Sequence, residues 1–369
     1  MAKVKIALIG LGKMGISHLA ILRAHPDVDL VAVCDPQGFV LDGLSKYTGL
    51  KTYRQFTDLL ANETLDGVVV ATPSRFHDDI VRAALEQDLA VFCEKPFSLD
   101  AKVALELAEL AEARGLINHV GYHYRHVAAF REAKRLLDSG VIGKVHHLRA
   151  EAYGPVVLRP KGSTWRSKKN EGGGCLYDYA SHAIDLSGYF LGAASHVSGS
   201  VLRSVFSEGV DDEVYSTLHY EGGVSAQLAA NWSDESHRKM SVKMKLWGTG
   251  GSIEADRQEV RIFVRDARVA QANGLRQGWN VRNTTELTEE VWFYLRGEEY
   301  SAQIDRFVTA VATGAGENVS TFRTAAQTDR VIDMIVDDAS GRPGAMPQQV
   351  KRPNRAIDRL FAIFEPKGA

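Results

Sequence analysis

An unbroken aliphatic segment, Val4 to Ile9, runs straight into the turn Gly10-Leu11-Gly12-Lys13-Met14-Gly15. After it Met14, Leu19 and Leu22 recur at helical spacing. Strand, glycine turn and helix in this order leave few folds open. A strand that is apolar on both faces belongs to a sheet covered on both sides, the parallel and doubly wound case. The pattern recurs at Leu30-Val31-Ala32-Val33-Cys34, Gly67 to Ala71, Ala90-Val91-Phe92 and Ile117 to Gly121, with helical stretches between. One of those helices is expected to start at Ser98 as N-cap and to turn Val103, Leu107 and Leu110 toward the core. The expected fold class is α/β, with an N-terminal doubly wound parallel sheet over residues 1–122.

Beyond Tyr122 the pattern changes. Met240, Val242, Met244 and Leu246 alternate with Lys239, Ser241, Lys243 and Lys245, the period of a strand with one buried and one wet face. Tyr220-Glu221-Gly222-Gly223-Val224 reads as a hairpin turn. Helices are expected around Val127–Leu137 and again where Ile304, Phe307, Val308, Val311, Val331, Ile332 and Ile335 recur. Residues 123–369 are therefore expected to form a second, α+β domain containing antiparallel sheet. A chain of 369 residues is long enough for two such units.

The charge balance excludes several partners. Lys and Arg number 44 against 46 Asp and Glu, without a basic block, so neither nucleic acid nor a membrane surface is an expected partner. No apolar run reaches the length of a membrane span or signal segment, and a cytoplasmic location is expected. Cys34, Cys93 and Cys175 are scattered, which suits buried reduced thiols. No metal site is expected: His146 and His147 would point to opposite faces of a strand, and no third ligand has informative spacing.

Chemistry concentrates in four segments. In the glycine turn, Gly10 permits the tight bend, Gly12 lets backbone approach a pyrophosphate, and Gly15 lets helix and strand pack closely. The helix N-terminus beyond attracts the pyrophosphate charge. Asp35, at the end of the next strand, is placed to accept from a ribose hydroxyl and to repel a 2′-phosphate, and Pro36, Gln37 and Gly38 supply no cation. NAD is the expected cofactor, favoured over NADP. Ala71-Thr72-Pro73 with His77, and Glu94-Lys95-Pro96, end later strands at the same crevice. The cofactor side is thus expected to comprise Gly10, Gly12, Lys13, Met14, Gly15, Asp35, Ala71, Thr72, Pro73, His77, Glu94 and Lys95. Downstream of Gly172-Gly173-Gly174, Asp178 and His182 would share one face of a helix. A histidine titrating near neutrality can take the proton of a hydroxyl while hydride leaves the same carbon.

These motifs, with Gly121-Tyr122-His123-Tyr124-Arg125 and Asp185, resemble the glucose-fructose oxidoreductase, inositol dehydrogenase and rhizopine-catabolism (Gfo/Idh/MocA) family of NAD(P)-dependent oxidoreductases over nearly the whole chain. The resemblance implies an N-terminal Rossmann domain, a C-terminal domain on an open, mostly antiparallel sheet, and a substrate cleft between them. It implies catalytic roles for Lys95 on the reacting oxygen, His182 as acid/base and Asp178 as orienting group. It adds Tyr124, Arg125, Trp165 and Arg166 on the substrate side; His126 stands where members often carry an aromatic residue. The implied substrate is a small sugar or polyol, oxidised at a secondary alcohol or reduced at the matching ketone, and the implied assembly is a homodimer or homotetramer. The alternatives are a nucleotide-sugar or amino-sugar oxidoreductase, redox-assisted glycosidase chemistry, and a non-catalytic dinucleotide sensor. Retention of both Lys95 and His182 argues against the sensor.

Overall fold

The computed structural model describes residues 3–156, 164–288, 298–315 and 319–341. The expected second domain therefore runs past them, into 342–369. The N-terminal part alternates β1 (Val4–Ile9), α1 (Lys13–Ala24), β2 (Val28–Cys34), α2 (Gly38–Thr48), β3 (Lys51–Tyr53), α3 (Phe56–Asn62), β4 (Gly67–Val70), α4 (His77–Glu86), β5 (Ala90–Cys93), α5 (Ala101–Ala113) and β6 (Asn118–Val120). The strands form one sheet in the order β3-β2-β1-β4-β5-β6, and every pairing is parallel. Four of the aliphatic runs read from the sequence are its central strands β2, β1, β4 and β5, with most of their side chains buried on both faces, and the run Ile117 to Gly121 is the edge strand β6. Two details differ from expectation. The strand β3, Lys-Thr-Tyr, is too short and polar to announce itself. Helix α5 is capped by Asp100, whose carboxylate accepts from Lys102 N and Val103 N; Ser98 instead accepts from Asp100 N.

The order reverses between β1 and β4, the switch point where such sheets open a crevice at their carboxyl ends. Ile9 pairs with Val70, so the glycine turn and Ala71-Thr72-Pro73 leave the sheet side by side.

The chain continues through α6 (Ala128–Asp138), β7 (Val145–Tyr153), α7 (Ser181–Leu191), β8 (His196–Arg203), β9 (Glu213–His219), β10 (Ser225–Asn231), β11 (Ser241–Gly248), β12 (Gly251–Ala255), β13 (Glu259–Val264), α8 (Ala267–Ala272), β14 (Gly278–Asn283), α9 (Thr284–Leu287), α10 (Glu298–Thr313) and α11 (Phe322–Ser340). Its eight-stranded sheet runs β14-β13-β12-β11-β7-β10-β9-β8, antiparallel except between β7 and β10. Alternation is strict: Val242, Met244 and Leu246 of β11 are buried, while Lys243 and Lys245 face the other side and pair with Glu254. Helices α6, α7 and α11 cover the buried face.

The last two helices tie the units together. From α10, Ile304, Phe307 and Val308 join the core of β1 beside Val4, Ile6 and Leu8. From the start of α11, Phe322, Ala325 and Ala326 pack with Phe97 and Val120, while Val331, Ile332 and Ile335 enter the core of the second sheet. Each large side chain so buried contributes about 1.5–3 kcal/mol of transfer free energy, which fixes the crevice between the sheets.

Candidate active site

The glycine turn has the shape that a bound dinucleotide requires. A Cβ on Gly15 would stand 1.9 Å from Gly10 O, and one on Gly10, at φ +98°, would stand 2.7 Å from the Ala71–Thr72 backbone. At Gly12, by contrast, no atom lies within 4 Å of a Cβ position, leaving the approach a diphosphate needs. Lys13 and Met14 open α1 at this point. Asp35 closes the turn from the side: its Oδ2 accepts from Leu11 N at 2.7 Å and its Oδ1 from Gln37 N at 2.9 Å. Thr72 Oγ1 is buried with no hydrogen-bond partner among the described residues, a polar atom available to a ligand. The residues present fit NAD.

Lys95 follows β5 and turns away from that sheet to meet the second unit. Its Nζ donates to Asp178 Oδ1 at 3.0 Å and to Asp178 O at 3.1 Å, and Arg166 Nε donates to Asp178 Oδ2 at 2.7 Å. The Arg166 guanidinium also lies 4.7 Å from the Trp165 ring centre, so these two residues stand beside the carboxylate that Lys95 holds. Burial alone would raise the Asp178 carboxyl, but the Lys95 and Arg166 charges together hold it below the usual carboxylate range.

Asp178 sits in a π-helical turn, Leu176–Ala180, that runs on into α7. The carboxylate is taken by the two cations, and no hydrogen bond joins it to His182. His182 is 2 % exposed and caged by rings: Tyr122 at 5.9 Å, Tyr124 at 5.1 Å and His123 at 5.0 Å, each edge-on. Its Nδ1 is buried without a partner among the described residues. Burial first, then the charges of Lys95 and His123, push its pKa well below the ordinary histidine value. The imidazole is therefore neutral at pH 7 and able to accept a proton.

Gly172, Gly173 and Gly174 make this approach possible. A Cβ on Gly173 would stand 2.5 Å from Arg166 O and 2.7 Å from the carbonyls of Lys168 and Trp165. One on Gly174, at φ +114°, would meet Asp211 Oδ1 at 2.5 Å. Asp211 in turn accepts from Leu176 N at 2.6 Å and pins the start of the π-helical turn. Arg75 reaches across from the Thr72-Pro73 loop to Glu171 at 2.7 Å, tying the cofactor side to the glycine loop.

Three residues expected at a ligand have their side chains engaged within the protein. His77 was expected at the cofactor, but its buried ring is held by Thr72 O at 3.0 Å and by Pro96 O and Phe97 O at 3.0 and 3.2 Å, where it staples two crevice loops. Glu94 faces inward: His18 Nε2 holds one oxygen at 2.6 Å and Lys95 N donates to the other at 3.2 Å. Arg125 is 3 % exposed, paired with Asp185 at 2.7 and 2.8 Å and with Val319 O, and so braces α7. Tyr124 lies behind His182, its hydroxyl engaged by Arg257 and pushed up to about 12 by burial. Sequence reading missed the roles of Tyr122, His123 and Asp211. The first two lie inside a motif already singled out; Asp211 carries no local signal.

The fold and its paired crevice define an oxidoreductase with an NAD-binding Rossmann domain, and residues 4–122 match the family model of that description. Residues 130–254 match the GFO/IDH/MocA C-terminal domain. The chain belongs to the Gfo/Idh/MocA family. It is 28% identical over 258 residues to scyllo-inositol 2-dehydrogenase (NAD(+)) of Bacillus subtilis, covering 68% of this chain and 73% of the relative. GenD2 from gentamicin A biosynthesis, solved in complex with NAD, is 27% identical with TM-score 0.74, over 93% of this chain and 96% of that one. Levoglucosan dehydrogenase with NADH and L-sorbose superposes with TM-score 0.80 at 22% identity, over 92% and 98%, a likeness of fold.

Proposed function

We propose that this protein is an NAD-dependent dehydrogenase that oxidises a secondary alcohol of a cyclic polyol or sugar, or reduces the matching ketone. The observation that carries the reading is Lys95, at the carboxyl end of β5 beside the dinucleotide crevice, bonded to Asp178 one helical turn before a buried His182 whose imidazole its charge helps keep neutral. Bound NAD supplies the hydride acceptor. The His182 imidazole takes the hydroxyl proton as the carbon–oxygen double bond forms. The Lys95 ammonium donates to that oxygen while it carries negative charge. Asp178 acts by holding Lys95 and Arg166 in place. Trp165 and Arg166 offer a plane and a donor fork to a ring bearing several hydroxyls.

The test is to incubate the purified protein with NAD and a series of inositols, aldoses and their derivatives while following reduced nicotinamide by absorbance. On the substrate found, His182→Ala is expected to lower turnover by about 10² to 10⁴. Lys95→Ala should lose a comparable factor, with NADH binding retained in both. Near-normal turnover in His182→Ala would overturn the proton transfer.

A further inference from the structure

The residues that follow Asp35 in sequence carry no cation, yet the fold delivers one from elsewhere. Strands β2 and β3 are parallel with Cys34 opposite Tyr53, and Asp35 N extends the ladder to Tyr53 O at 3.1 Å. Asp35 and Arg54, the next residue of each strand, therefore leave the sheet as neighbours, about one strand spacing of 4.8 Å apart. They do so at the carboxyl edge, where the adenosine ribose is read in this fold. The Arg54 guanidinium then lies against Gly38: a Cβ there would stand 2.6 Å from Nη2, 3.3 Å from Cζ and 3.6 Å from Nε. Only glycine leaves the guanidinium that place. The Asp35 carboxylate is bound to the Leu11 and Gln37 amides, and exposed Arg54 has no hydrogen bond or ion pair with any described residue.

We infer that Arg54 is a second determinant of cofactor selection, a cation that receives a 2′-phosphate beside the carboxylate that repels it. The inference rests on the NAD-binding assignment of the first unit and changes its consequence. A neutral 2′-hydroxyl interacts with Asp35 and is indifferent to the charge of Arg54. A 2′-phosphate is repelled by Asp35 and attracted by Arg54, whose planar fork suits phosphate oxygens. The two terms oppose, so NADP is disfavoured but still admitted.

Fluorescence titration of NADH and NADPH onto the intact protein tests this without turnover. Arg54→Ala is expected to weaken NADPH by about tenfold or more, the worth of a charge-assisted contact, and NADH by less than about threefold. Asp35→Ala should bring NADPH level with or ahead of NADH, and Arg54→Ala in that background should abolish the gain. Gly38→Ala, which displaces the guanidinium without removing its charge, should weaken NADPH in the same direction. Equal weakening of both cofactors by Arg54→Ala, unchanged NADPH affinity, or a double variant that keeps the gain would each overturn the inference. Failure of the parent protein to bind either cofactor would instead overturn the dinucleotide assignment itself.

Discussion

Asp178 stays ionised inside the protein because Lys95 and Arg166 reach it from different segments, and the same Lys95 charge helps keep His182 neutral. Since the His182 pKa lies well below the ordinary value, kcat/KM for alcohol oxidation should hold flat as pH falls through 6.5 and bend only further into acid. Lys95→Met removes one of the charges that disfavour the imidazolium while burial remains, so the acid limb of its residual activity should move to higher pH. An unmoved limb would show that Lys95 does not act on the histidine. Asp178→Asn keeps an acceptor for Lys95 but removes the charge, and should lower turnover less than His182→Ala does. Asp178 and His182 were legible in the sequence as a spaced pair; their partners were not. The spacing suggested mutual contact, whereas the carboxylate is taken by Lys95, 83 residues away in the chain.

Two glycine elements divide the site between cofactor and chemistry, and single methyl groups should separate them. Gly15→Ala forces a Cβ into Gly10 O and should abolish NADH binding measured by titration. Gly173→Ala forces one into the carbonyls of Trp165, Arg166 and Lys168 and should cut turnover at least tenfold by displacing Arg166, with NADH affinity within about threefold. If both variants lost both properties alike, the two elements would not be independent. Elements with a sustained period were legible: the aliphatic runs of β1, β2, β4 and β5, and the alternation of β11. Strand β3 was not, because three residues carry no period, and with it went Arg54. His77 was expected on the cofactor side; the fold shows that carbonyls of two loops converge on its ring.

At the scale of the molecule, the open face of the second sheet displays Tyr153, Tyr215, Trp247 and Phe263, half-exposed, and ends at Trp279, 44% exposed. A homodimer or homotetramer that covers this face is our expectation, and Trp247→Asp should reduce the mass measured by light scattering to that of a monomer; a parent protein already monomeric at working concentration would end the idea. The seam between the units makes a separate statement, in opposite pH directions. His119 on β6, edge-on to Phe307 of α10 at 5.6 Å, is lowered to about 4 by burial and the nearby Arg306 charge. Below pH 6.5 the unfolded chain takes a proton that the folded chain refuses until about pH 4, so stability falls with pH across that window, by about 2 kcal/mol at pH 5 from this residue alone. Asp329 on α11, buried and bonded by Ser98 N at 3.1 Å, has its carboxyl raised well above the ordinary value by burial. Its contribution is full below the unfolded carboxylate pKa of about 4 and is lost as pH rises, because the unfolded chain then ionises and the folded chain does not. His119→Phe should therefore gain melting temperature over the parent most at pH 5, an advantage that shrinks by pH 8. Asp329→Asn, which keeps an oxygen for Ser98 N, should gain relative to the parent as pH rises from 5 to 8. Melting curves at the two pH values decide it: differences from the parent that do not change with pH would mean that neither group is held in the charge state its surroundings dictate, and that the seam is joined by its apolar side chains alone.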